Sequence, residues 1–111
     1  MTINEIAVLL DAKISQDVFN DVPVTGAYTS DLLSDVMAHA REGGALITIQ
    51  AHKNTVAVAT LVNVSCIIIC NNRPLPADML AAAAEERIAV LVTGENQFSV
   101  SGRLWEFLGK K

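Results

Sequence analysis

Apolar residues follow two alternating rhythms along this chain. Apolar runs occupy 45–49, interrupted only by Thr48, then 66–70 and 88–92, with Gly44 before the first and Asn71 after the second. Short runs of Ile, Val and Leu without polar alternation predict strands buried on both faces. Between them, apolar residues recur at helical spacing. Ile3, Ile6, Ala7 and Leu10 fall at i, i+3, i+4 and i+7 behind Thr2 and Glu5, a capping-box pair.

Leu32, Leu33, Val36, Met37 and Ala40 predict a second helix, stopped by Gly43-Gly44, with Thr29, Ser30 and Asp31 as caps. The segment 55–62 is apolar nearly all round, which predicts a helix covered on most sides. Pro76 opens a further helix through Met79, Leu80, Ala83 and Ala84 to Arg87. The last runs from Phe98 to Leu108, with Val100, Leu104, Trp105 and Leu108 inward and a Glu106/Lys110 pair outward. A strand at 24–28 and a short edge strand at Lys13-Ile14-Ser15 complete the set. The alternation predicts an α/β fold, a single-domain layered arrangement over 1–111 with a mainly parallel central sheet flanked by helices.

Composition sharpens the picture. Apolar residues make up 51% and charged residues 18%. That is more apolar surface than a short monomer hides, so an oligomer is expected. The net charge of −4, without a basic aromatic face, excludes a nucleic-acid module. No apolar run reaches the length of a membrane span. The first residues lack a signal peptide's basic and apolar regions, so a cytoplasmic location is expected. Cys66 and Cys70, four strand positions apart, would stand about 13 Å from each other. They cannot bridge, and they lack zinc-site spacing.

In open α/β sheets, ligands bind beyond the carboxyl ends of the strands. That rule selects the loops carrying Ser30 and Asp31, then Gln50, His52 and Asn54, then Asn71, then Thr93. Their hydroxyls and amides, with the helix starts after Ser30 and Asn54, suit a small anionic ligand. His52 is the most reactive of them, either as a hydrogen-bonded spacer or as a phosphocarrier. Asp31 and Asp35, read as one helix face, are solvated first-turn acids and not a metal site. His39 reads as surface. No metal or other cofactor is expected. The chain has no P-loop, no Gly-x-Gly-x-x-Gly, no Gly-x-Ser-x-Gly and no His-Glu-x-x-His.

Three stretches then carry a family resemblance. They are 25–37 with Asp31-Leu32-Leu33-Ser34-Asp35-Val36-Met37, 47–59 with Gln50, His52, Asn54 and Val56-Ala57-Val58-Ala59, and Ile67-Ile68-Ile69. Together they resemble the DRTGG domain family over nearly the whole chain. Val24-Thr25-Gly26-Ala27 stands at the name-giving motif, with Val for its Arg and Ala for its second Gly. The resemblance adds Thr25 and Gly26 to the candidate ligand residues. It implies a domain similar to the N-terminal region of HPr kinase/phosphorylase, one that also accompanies CBS domains in some pyrophosphatases. There it is a regulatory or assembly module that pairs with itself. Stand-alone members lie near hydrogenase and redox genes, which implies a redox-enzyme partner as the alternative. Without a P-loop, kinase activity is excluded.

The expected function is therefore a non-catalytic regulatory module, a homodimer binding a small anionic ligand such as a nucleotide. The alternatives are a ligand-free assembly subunit anchored through Tyr28, Met37, Phe98 and Trp105, and a His52 phosphocarrier.

Overall fold

The computed structural model describes residues 1–109. In chain order the elements are α1 (Ile3–Leu9), β1 (Lys13–Gln16), β2 (Ala27–Thr29), α2 (Leu33–His39), β3 (Ala45–Thr48), α3 (Lys53–Val62), β4 (Cys66–Ile69), α4 (Ala77–Glu85), β5 (Ala89–Val92) and α5 (Gln97–Leu104). A π-helical turn, Trp105–Gly109, continues α5. The sheet order is β1-β5-β4-β3-β2. Strands β2 to β5 are parallel neighbours, and β1 runs antiparallel along β5.

Strand alternation builds a core on each face of the sheet. Ala45, Ile47, Cys66, Ile68, Ala89 and Leu91 turn to one side and meet Ile3 and Ile6 of α1 and Val100 and Leu104 of α5. Leu46, Ile67, Ile69 and Val90 turn to the other and meet Val36 of α2, Val56 and Ala59 of α3, and Met79 and Ala83 of α4. The result is three layers. The strands from β2 to β5 are added one position at a time, and all three crossover helices lie on one face, as crossovers of a single hand require. The strand order therefore never reverses within the parallel set.

The two edges differ. At β1 the register slips between Ile14 and Gln16, so Ser15 is an extra residue opposite β5. The buried Gln16 amide fills the irregularity, donating to Ile88 O (2.8 Å) and Val18 O (3.0 Å) and accepting from Val18 N (2.7 Å). A bulge and Lys13 blunt that edge. Among the described residues, strand β2 pairs only with β3 and has neither device.

Several expectations change. Thr2 caps α1 through the expected capping box. Ser30 and Asp31 cap nothing: α2 starts after Leu32, without a side-chain cap, and ends at His39. Asp31 therefore does not share a helix face with Asp35. Leu32 and Met37 are exposed, leaving Val36 as the buried residue of α2. Helix α3 is not covered on most sides. Among the described residues it packs chiefly against α2, α4 and the sheet, and Ala57 and Leu61 face water. Trp105 is 58% exposed. Leu104 and Leu108, four apart, hold the inward stripe, and the next residue falls about 100° off it. Lys110, the expected partner of Glu106, lies outside the described residues.

Candidate functional site

The carboxyl ends of the strands hold a connected polar layer. Asp31 Oδ1 accepts three hydrogen bonds of 2.9 Å each, from the Thr48 hydroxyl, Ile49 N and Gln97 Nε2. One oxygen thus ties together the loops after β2 and β3 and the start of α5. Thr48, buried, passes the link on by accepting from Gln50 N (3.1 Å). Thr93, also buried, donates to Leu10 O and accepts from Glu95 N, both at 3.2 Å. Asn71 and Asn72 both adopt positive φ, a turn conformation that Asn tolerates, and their N–H groups donate to Glu95 O and Thr93 O. Asp31, Thr93 and the Asn71 backbone are therefore engaged in shaping the loops.

The start of α3 is more open. His52 Nδ1 accepts from Asn54 N (3.0 Å), which makes His52 the N-cap and leaves the ring proton on Nε2. Gln50, His52 and Asn54 are all exposed. The helix begins at Lys53, so Asn54 lies inside its first turn rather than before it. Ser30 accepts from Leu32 N (3.2 Å). These four residues can still offer donors to a ligand.

Thr25 and Gly26 lie elsewhere. They precede β2, about 20 Å of extended chain from Asp31, at the other end of the sheet. Two cavities flank this segment. A pocket of about 200 Å³ is lined by Thr25, Gly26, Tyr28, His39, Arg41 and Glu42. A larger groove of about 610 Å³ runs on the α5 side, lined by Thr25, Gly26, Thr29, Arg41, Ser101 and Trp105 among others. Among the described residues, the Arg41 guanidinium has no hydrogen-bond or ion-pair partner. The nine candidate residues thus form two groups and not one cleft.

Sequence reasoning missed a cluster beside the smaller pocket. The Tyr28 hydroxyl donates to Asp35 Oδ2 (2.8 Å), and His39 Nδ1 meets Asp35 Oδ1 (2.9 Å). The two rings stack with centroids 6.3 Å apart. The Tyr28 phenol first, then Ser30 and His39, hold the Asp35 carboxyl below its usual range. The Asp35 hydrogen bond raises Tyr28 in turn. The i,i+4 spacing of Asp35 and His39 was readable; the approach of Tyr28 needed the β2–α2 geometry. Cys66 and Cys70 are buried free thiols. Burial pushes them up to about 12 and about 11, with the charges of Asp31 and Glu95 adding to the second. Among the described residues, no group of three His, Cys, Asp or Glu could hold a metal ion. Nor is any described helix long and apolar enough to cross a membrane.

No family model and no curated protein matches the chain. A solved structure does: the CBS and DRTGG domains of the regulatory region of Clostridium perfringens pyrophosphatase, complexed with its activator, diadenosine tetraphosphate. The TM-score is 0.75 at 16% identity, over 93% of this chain and 45% of that one. This chain spans less than half of that structure. At such identity the likeness shows the fold: an α/β sheet flanked by helices, consistent with a DRTGG-like domain.

Proposed function

We propose that this chain is a non-catalytic regulatory module that works as a homodimer and binds a small anionic ligand of the nucleotide class. The observation that carries the reading is the fold shared with a regulatory region that takes a nucleotide activator. The candidate contacts form two sets, Ser30, Gln50, His52 and Asn54 at the carboxyl ends, and Thr25 and Gly26 before β2. Asp31, Asn71 and Thr93 hold the loops that present the first set. Pairing is supported by unusually bare apolar side chains. Phe98 is 90% and Val8 84% exposed, in a short chain whose buried core is already complete.

Native mass spectrometry of the cytoplasmically expressed chain, with and without ATP and diadenosine tetraphosphate, tests this directly. The expected result is a mass of twice 11.9 kDa that gains one nucleotide per protomer. A bare monomer throughout would sink the proposal.

One observation favours a second reading, a ligand-free assembly subunit docking on a redox enzyme. Val8 and Phe107 share an apolar groove with Met1 and Leu9. A chain that never binds nucleotide, yet forms a stoichiometric complex with a purified redox enzyme that Val8→Asp abolishes, would establish it.

A further inference from the structure

The groove between β2 and the end of α5 has features that the polar layer at the other end of the sheet lacks. Its volume of about 610 Å³ falls within the range of small-molecule sites. Trp105 lies along it with more than half of its surface exposed. Gly109 stands so close to the indole that any side chain there would displace the ring. The ring is therefore seated against its own backbone and presents a platform on which a base can stack. Arg41 lines the same groove without a partner among the described residues. In a chain of net charge −4, that guanidinium is a local exception that favours an anion. Glu42 lines the smaller pocket and not this groove.

The backbone supplies further donors. Gly26 O accepts from Ala45 N, and Ser30 N donates to Ile47 O, so these positions face β3. Alternation turns the N–H groups of Ala27 and Thr29 towards the open edge. The Thr29 and Ser101 hydroxyls pair at 2.7 Å; one hydrogen joins them and the other is left for a ligand. Gly26 adds a separate argument. Its φ is not positive, and a Cβ there would meet nothing within 4 Å. The fold itself does not require glycine at this position, whereas a ligand lying against the backbone would.

We propose that this groove binds a purine nucleotide, with the base on the Trp105 indole and a phosphate at the Arg41 guanidinium. The inference rests on the nucleotide-binding reading above and selects which end of the sheet carries it. Trp105 is the chain's single tryptophan, so its fluorescence reports on this groove alone.

The test is to titrate the full chain with ATP and diadenosine tetraphosphate while following that fluorescence, with native mass as an independent count of bound nucleotide. A saturable fluorescence change is expected, and Arg41→Gln should weaken binding about tenfold or more. Gly26→Val should abolish binding without lowering the melting temperature. Adenosine should still change the fluorescence, and inorganic triphosphate should compete with ATP. Nucleotide bound by mass, with fluorescence unmoved and Arg41→Gln at full affinity, overturns the groove while the regulatory reading stands. A loss confined to a His52→Asn/Asn54→Ala variant does the same and moves the ligand to the carboxyl ends. If no nucleotide adds to the mass under any condition, both readings fall.

Discussion

Asp31 joins three segments through one carboxylate oxygen, and its three donors come from positions 48, 49 and 97. Hydrogen bonds to a charged acceptor contribute about 1.5–3 kcal/mol each, and donors left unpaired cost more than bonds never formed. The site is only half-buried, and water can replace part of the loss. Asp31→Ala should therefore destabilise by about 2 kcal/mol, read as a lower urea midpoint at unchanged m-value. Asp35 allows a pH argument. Its pKa is lowered in the folded chain, so its contribution is present above the unfolded value, near 4, and is lost as pH falls through the lower folded value. Tyr28 has the opposite sign. Its raised pKa gives a contribution present below about 10 and lost in stronger alkali. Melting temperatures measured across pH should show an acid limb that Asp35→Asn flattens. An unchanged limb would remove Asp35 from the acid response.

At the scale of elements, the turn before β3 decides how β2 enters the sheet. Gly43 has φ of +80°, and a Cβ there would come within 3.1 Å of Thr25 Oγ1. Its carbonyl accepts from Thr25 N. Gly43→Ala should cost about 1–3 kcal/mol, the usual range for a non-glycine residue held at such a φ. The cost should fall on the β2 end of the sheet. Hydrogen exchange should show faster exchange at Ala45 N, which bonds Gly26 O, than at Cys70 N, which bonds Thr48 O. Uniform acceleration across the sheet would argue against a local role for the turn. Helix α3 shows why apolar content alone misleads. Its sequence suits burial on every side, yet one layer of helices covers the sheet, and the outward stripe of Ala57 and Leu61 has no second layer to meet.

Across the whole molecule, both cysteines lie on the face of the sheet covered by α1 and α5. Burial and raised pKa keep them as thiols at neutral pH, so alkylating agents have neither access nor thiolate. Native protein at pH 7.5 should take up iodoacetamide only at the rate of opening, and both thiols should react together in urea. Rapid labelling of one thiol in native protein would show that the α1–α5 layer lifts independently. The sheet is also asymmetric as a whole. One edge is blunted by a bulge and Lys13, and the other is bare and flanked by the two cavities at Thr25 and Gly26.

Much of this was written in the local pattern of residues. The runs at 45–49, 66–70 and 88–92 announced buried parallel strands because a strand covered on both faces has no polar side to alternate with. Thr2 and Glu5 announced the start of α1 because a cap depends on neighbours three residues away. Even the inability of Cys66 and Cys70 to pair followed from strand rise alone. What needed the folded chain were contacts between residues distant in sequence: the order β1-β5-β4-β3-β2, the three bonds to Asp31, the Tyr28–Asp35–His39 cluster, and the groove that sets Arg41 beside Trp105. Periodicity reports which face of an element is apolar. It carries no information about which element covers that face, and only the packing of the layers settles which polar groups meet and which surfaces stay bare.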